Sequence, residues 1–360
     1  MYQHPLIKYL KSYSDVDVAL SSINSNILYK RQGDLVIFKY NNQNGTDLER
    51  SCRGLIYNTQ TDKIVCYSNE GTYDFETFTN KVPYKQCVIE ENLEGSLINL
   101  YFNNQRWNVS TKFCINADES RFRSKKTFRQ IFDHLFKINT SELDKKYTYS
   151  FLIRIPENRL VTNITDYDLY HIETQNNITG EKIYMDIGVK HPVVLKIRVK
   201  SYKKLYNKLS NLDWEDRGYM LYSKDRLYRC SLINPAYKKI LNLVNTNEDL
   251  KYTMLESSLY TYKTDIILEH FPEYNTIMTG VLNDVKLLQQ YIFSAYVEIF
   301  CKKNKTIDDF NEKYKSVLED THNLYKLTRR HDITFEILPE DIFDMIIQND
   351  CLFVYKLLYK

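Results

Sequence analysis

Apolar and polar residues alternate in short runs over the first two thirds of the chain, and apolar residues recur at helical spacing over the last third. Residues 5–23 are predicted to be helical. Residues 26–40 read as a hairpin turning at Gln32-Gly33-Asp34. Strands are predicted at 54–58, 63–67, 87–91, 96–103 and 106–111. Residues 125–136 have helical spacing, with Phe128, Ile131, Phe132 and Leu135 on one face. Strand-like runs resume at 147–155, 159–164, 168–174, 181–186 and 193–199, and a helix is predicted at 202–212. A second hairpin, around Lys224-Asp225, joins 218–223 to 226–232. After Asn234-Pro235 the texture becomes helical; Val281, Val285 and Leu288 share one face of a run over 281–300. A boundary is expected near 235–250, giving domains at 1–240 and 241–360. No internal repeat or low-complexity linker is evident.

At 360 residues, 43% hydrophobic and 26% charged, the chain is expected to be a folded globular protein with one large domain and a smaller one. The 31 tyrosines, with abundant Asn, Lys and Ile, fit an AT-rich coding sequence; a base-stacking surface is the sharper alternative. The net charge of +3 is too small to imply nucleic acid by itself. No apolar run reaches membrane-spanning length, and no cleavable signal is read at Met1-Tyr-Gln-His-Pro. The seven cysteines form no close C-x-x-C pair, and His270, His331 and the other histidines lack metal-ligand spacing, so no metal and no disulfide framework are expected. An intracellular, reducing setting follows: cytoplasm, viral factory or virion.

The candidate chemistry centres on Asn92-Leu-Glu-Gly-Ser96. It resembles the lysine-x-acid-Gly-Ser motif of covalent nucleotidyltransferases, the ATP-dependent ligases and capping enzymes. Four further segments occur in that superfamily's order: Arg53-Gly-Leu-Ile-Tyr57; Ser110-Thr-Lys112; Pro156–Val161 with Leu169–Lys182; and Arg217-Gly-Tyr-Met220 with Ser231–Tyr237. Together, over about residues 35–240, they resemble the phage tRNA-repair RNA ligase family. The resemblance implies an α+β nucleotidyltransferase fold (an adenylation domain with ATP-grasp-like antiparallel sheets) and an all-helical C-terminal domain.

The departures from that family fall on the residues that would do chemistry. Asn92 stands where the resemblance places the nucleophilic lysine. An amide nitrogen is delocalised into its carbonyl and cannot store a nucleotide as a phosphoramidate. Leu152 stands where the family has an acid that contacts ribose or metal. Arg217 replaces a glutamate that organises metal-bound water. Ser231 and Ile233 replace the final lysine pair, which neutralises the α-phosphate. Thr77 replaces a further lysine expected in the strand before the nucleophile, and Phe113 replaces a glycine. Loss of one such charge typically slows a reaction by ~10²–10³. The expectation is a pseudoenzyme without catalytic residues or cofactor.

Arg53, Glu94, Lys112 and Arg159 remain at motif positions, either by fold constraint or, for Arg53, Glu94 and Lys112, as a residual anion or nucleotide site. Arg121, Arg123, Lys125 and Lys126 form a basic cluster that could hold an RNA backbone, and Lys196–Lys204 forms another. Three functions remain open. The first is an inactive RNA-ligase-like nucleic-acid-binding or scaffolding subunit, virus-encoded, with a protein partner on its helical region. The second is an active ligase with a relocated nucleophile, Lys85 or Lys112. The third is a structural component without nucleic acid.

Overall fold

A computed structural model describes residues 4–40, 45–244, 249–332 and 334–360. Residues 1–3 of the opening stretch and 245–248 of the expected boundary lie outside the described residues. The chain divides into two compact units, Met1–Lys239 and Ile240–Lys360.

The first unit opens with helices α1 (Pro5–Leu10) and α2 (Val16–Ser21) rather than one long helix. The break has a local cause: the Asp15 carboxylate accepts from the backbone N–H groups of Asp17 and Val18 and so starts a new helix. β1 (Ile27–Gln32) and β2 (Leu35–Tyr40) form the predicted hairpin, with Gly33 at φ +60° in its turn. After α3 (Asp47–Ser51), β3 (Ile56–Asn58) and β4 (Lys63–Cys66) complete a β1-β2-β3-β4 sheet. Its inner face, including Val36, Phe38 and Tyr57, packs with Leu6, Leu10 and Leu20 from α1 and α2.

The chain then passes through α4 (Phe75–Lys81) to β5 (Cys87–Glu91), β6 (Ser96–Asn103) and β7 (Arg106–Thr111), all three strands matching the predicted spans. Helix α5 (Phe128–Leu135) and strands β8 (Tyr147–Arg154), β9 (Asp168–Asn176) and β10 (Lys182–Ile183) follow. A five-stranded antiparallel sheet has the order β10-β9-β8-β6-β7. Alternation gives it two different faces. Ile98, Leu100, Tyr149, Phe151 and Ile153 pack with Phe128, Ile131 and Phe132 of α5. The opposite face carries buried polar residues, with Asn99 accepting from the Ser150 hydroxyl at 2.8 Å.

Helix α6 (Tyr202–Leu209) leads to β11 (Gly218–Ser223) and β12 (Arg229–Ile233), which complete a third sheet ordered β12-β11-β5. Leu205 and Leu209 of α6 join Phe78, Ile89, Leu221 and Leu232 in its core. Three strand expectations fail. Residues 159–164 form no strand, because their N–H groups turn to a side chain. Residues 193–199 make only an isolated bridge, between Glu90 and Val194, and the Val199 N–H turns back to the Ile197 carbonyl at 2.9 Å. The 181–186 run shrinks to the two residues of β10. Thr77 lies in the first turn of α4, where its N–H is capped by Asp74 at 2.8 Å, and not in a strand.

The division between units falls within α7 (Pro235–Leu241). The second unit contains α8 (Leu250–Leu259), α9 (Thr264–His270), α10 (Asn275–Tyr296), α11 (Lys315–Arg329), α12 (Pro339–Ile347) and α13 (Cys351–Tyr359), with no strand among its described residues. Val281, Val285 and Leu288 are buried along one face of α10, as their spacing predicts. The α+β class, antiparallel sheets followed by a helical C-terminal region, agrees with the expectation. No helix among the described residues is long and apolar enough to cross a membrane.

Burial holds both His4 and His171 neutral, each pushed down to about 4. Unfolded histidine binds its proton near pH 6.5, so acid favours the unfolded chain before these two protonate in place. Stability is therefore fully present above about pH 6.5 and falls as pH drops towards 4. The urea midpoint of the N-terminal unit should be lower at pH 5 than at pH 7. Equal midpoints would show that these histidines are free to protonate in the fold.

Candidate functional site

The turn from β5 into β6 carries the motif, and five of the degenerate positions meet around it. The backbone N–H of Asn92 donates to the Gly218 carbonyl at 3.2 Å, extending the β5–β11 pairing by one residue. Its side-chain amide then points across β11 and donates to the Ser231 hydroxyl on β12 at 2.9 Å. Arg217 donates to the Leu93 carbonyl at 3.1 Å. Ile233 pairs with Gly218, the residue beside Arg217. Leu152 on β8 stands opposite Leu97. It also packs on Gly95, where an added Cβ would lie 2.8 Å from its Cγ and 2.7 Å from the Ile153 carbonyl. Gly95 is glycine because two strands meet there.

Glu94 is 1% exposed and serves as an internal clip. It accepts from the backbone N–H groups of Leu160, Val161 (2.9 Å) and Thr162 (3.0 Å), and from the Tyr237 hydroxyl at 2.7 Å. Four donors take up both carboxylate oxygens. The residue expected at a residual anion or nucleotide site thus turns both carboxylate oxygens to donors of its own chain. The same bonds explain why 159–164 form no strand.

Asn92 and Arg217 line one cavity of about 540 Å³, together with Arg154, Lys196 and Tyr219. Lys112 is not among the lining residues. It stands at the end of β7, with its backbone 3.2 Å from where a Cβ on Gly54 would sit. Arg53 links the two places. Its guanidinium donates to the Asn69 carbonyl at 2.8 Å. Burial, then the Arg229 and Arg217 cations, push it down to about 9, so it still carries its charge at neutral pH. Burial, then Arg53 and Lys39, push Lys112 down to about 8.

Arg229 and Lys182 belong to the same charged interior and went unnoticed in the sequence. Lys182 lies 3.3 Å from Glu70 and 3.9 Å from Glu173. Burial opposes its charge, but Glu173 and Glu70 hold its proton more tightly than usual. The Arg229 signal was legible: alternation on β12 puts Arg229, Ser231 and Ile233 on one face, so a cation sits one step before the two neutral positions. Lys182 carried no such signal, because only folding brings Glu70 to it. Among the described residues, no group of three or more His, Cys, Asp and Glu side chains is placed to hold a metal ion.

Lys85 is exposed just before β5, roughly 20 Å of extended chain from Asn92, so its amine is remote from the site. In the 121–126 cluster, Arg121, Lys125 and Lys126 are exposed. Arg123 departs from the expected surface position. It has φ +54°, is partly buried and donates to the Arg159 carbonyl at 2.9 Å, tying its loop inward.

No protein-family profile matches the chain. Over 252 residues it is 24% identical to a putative bifunctional polynucleotide kinase/RNA ligase of Autographa californica nuclear polyhedrosis virus, covering 63% of this chain and 35% of that protein. Over 272 residues it is 22% identical to an immediate-early protein ICP-46 homolog of Invertebrate iridescent virus 3, covering 69% of this chain and 60% of that one. The chain thus spans about a third and three fifths of these relatives. Among solved structures, an apo mutant of Naegleria gruberi RNA ligase R4a overlaps 51% of this chain and 59% of its own, at TM-score 0.37 and 10% identity.

Two outcomes test this geometry. Glu94→Gln turns one acceptor oxygen into a donor facing donors, and should cost about 2–3 kcal/mol of stability in urea. An unchanged midpoint would mean that the clip carries no energy. Lys112 should react with an acylating reagent with a half-maximal rate near pH 8, as its lowered proton affinity requires. A profile still rising at pH 10 would place the amine in ordinary solvent. Its sign for stability is the same as the histidines', in a higher window: the folded state disfavours the lysine charge, and that cost is relieved as pH rises from about 8 towards 10.5.

Proposed function

We propose that the chain is a catalytically inactive RNA-ligase-like protein, related to proteins of insect viruses, that serves as a nucleic-acid-binding or scaffolding subunit. The observation that carries this reading is the 2.9 Å hydrogen bond from Asn92 to Ser231. In an RNA ligase of the family that the motifs resemble, both positions would be lysines. Two such cations repel until a phosphate lies between them. Here the two positions close on each other as a neutral pair, each satisfying the other without a ligand. Such a bond contributes about 0.5–1.5 kcal/mol to the fold and supplies neither a nucleophile nor transition-state charge.

The surroundings support the same reading. Leu152 offers no oxygen to a metal or a ribose. Arg217 places a cation where a metal-binding acid would stand, and is itself anchored on Leu93. A protein contact through the helical unit belongs to the same proposal; Leu287 and Tyr291 of that unit are 54% and 45% exposed.

One observation favours a second reading. Lys112, at about 8, has a proton affinity low enough to offer a free amine near neutral pH. It lies off the cavity that holds Asn92, so a nucleotide would have to bind in a different pose.

One assay separates the two. The protein is incubated with labelled ATP or GTP and Mg²⁺ or Mn²⁺, then resolved under denaturing conditions. No covalent nucleotide should appear on the wild type. Asn92→Lys alone should not restore one, because Leu152, Arg217, Ser231 and Ile233 remain. A wild-type adduct abolished by Lys112→Ala would establish the relocated nucleophile, and an adduct on Asn92→Lys would show that one residue alone had been lost.

A further inference from the structure

Between Asp186 and Asp213 the chain carries seven Lys and Arg residues and no Asp or Glu. Among the described residues only one of the seven, Lys190, has an ion pair, with Asp168 at 2.5 Å. The other six, Lys196, Arg198, Lys200, Lys203, Lys204 and Lys208, are all exposed. Packing fixes their direction. Leu195, Ile197 and Val199 pack against the core of the three-stranded sheet, so the alternating Lys196, Arg198 and Lys200 point away from it. Ser201 then caps α6, whose Leu205 and Leu209 face the same core. Lys204 and Lys208, one turn apart, flank that face, and Lys203 stands opposite it.

We propose that this stripe, from Arg198 through Lys200 and onto α6, binds the backbone of single-stranded RNA. Like charges this dense and unpaired repel one another, a cost relieved when a polyanion lies along them. Tyr206, 47% exposed on α6, offers a face on which a base can stack. The path has a direction. At its Lys196 end the cavity is also lined by Glu91, Glu215 and Asp216, which turn an anion away, so the strand runs from Arg198 towards Lys208. The inference rests on the reading above only in taking RNA as the polyanion; it holds whether or not the protein adenylylates, and its failure is read in a different assay.

The test is fluorescence anisotropy of the full chain with a labelled, unstructured single-stranded RNA over a salt series. Arg198→Ala/Lys200→Ala/Lys203→Ala should bind at least tenfold more weakly at low salt, with a salt slope shallower by about 2. Lys204→Glu/Lys208→Glu should weaken binding as strongly. Lys200→Arg/Lys203→Arg should bind within about twofold of wild type, as backbone charge alone requires. Tyr206→Ala should cost about fivefold or more. Circular dichroism and melting of each variant should match wild type, as these side chains face solvent. Unchanged binding by the triple variant would overturn the proposal. So would the loss appearing instead in Arg121→Ala/Lys125→Ala/Lys126→Ala, or binding to phosphatidylserine vesicles without binding to RNA.

Discussion

The carboxylate of Glu94 joins three parts of the N-terminal unit. It sits in the β5–β6 turn, takes the N–H groups of a loop more than sixty residues later, and receives the hydroxyl of Tyr237 beyond β12. A buried carboxylate is costly unless each oxygen is met by donors. Here the backbone supplies three and a tyrosine the fourth, so the charge becomes a reason for the segments to converge. The positions of Asn92 and Leu93 on one side of Glu94, and of Gly95 and Ser96 on the other, follow from that fixed point. Removing the acid would free a loop and a helix start together, as well as changing one side chain.

What surrounds the clip is an interior of mixed charge, with Glu91, Glu215 and Asp216 beside Arg154, Lys196 and Arg217. Arg53, Arg217, Arg229 and Lys182 lie within electrostatic reach of one another or of the carboxylates Glu70 and Glu173. Burial first, and neighbouring cations second, lower the proton affinity of both Arg53 and Lys112.

Strands β5, β6, β7 and β11 were legible in the sequence to the residue, since each is a short run rich in apolar and aromatic residues set off by turn residues. The gathering of Asn92, Leu152, Arg217, Ser231 and Ile233 was legible only through a motif order, because their nearness depends on pairings between strands distant in sequence, β5 with β11 and β6 with β8. The missed features have one cause. The strand expected at 159–164 assumed that its N–H groups were free to pair with another strand, whereas Glu94 takes three of them. Composition cannot show that a backbone segment will satisfy itself on a distant carboxylate. Arg123 was misjudged similarly: a cation in a basic run turned inward because a positive φ and the Arg159 carbonyl gave it a place.

The residues at motif positions separate by what they do for the fold. Glu94 and Gly95 satisfy buried backbone and allow two strands to close, and neither could change without cost to folding. Nucleophile, metal acid and phosphate lysines contribute to chemistry and, as like charges or unpaired groups, tend to destabilise an empty site. On the proposed reading, a chain released from catalysis gains stability by replacing the second kind with neutral, mutually satisfied groups. The Asn92–Ser231 pair is such a replacement, and Leu152 against Gly95 is another. Arg217 fits less simply, since it adds a charge; its bond to Leu93 gives that charge a partner inside the turn that Glu94 holds in place. The same physical chemistry that preserves the framework thus leaves the site closed on itself, while unpaired cations collect where solvent can screen them, along the surface from Lys196 to Lys208.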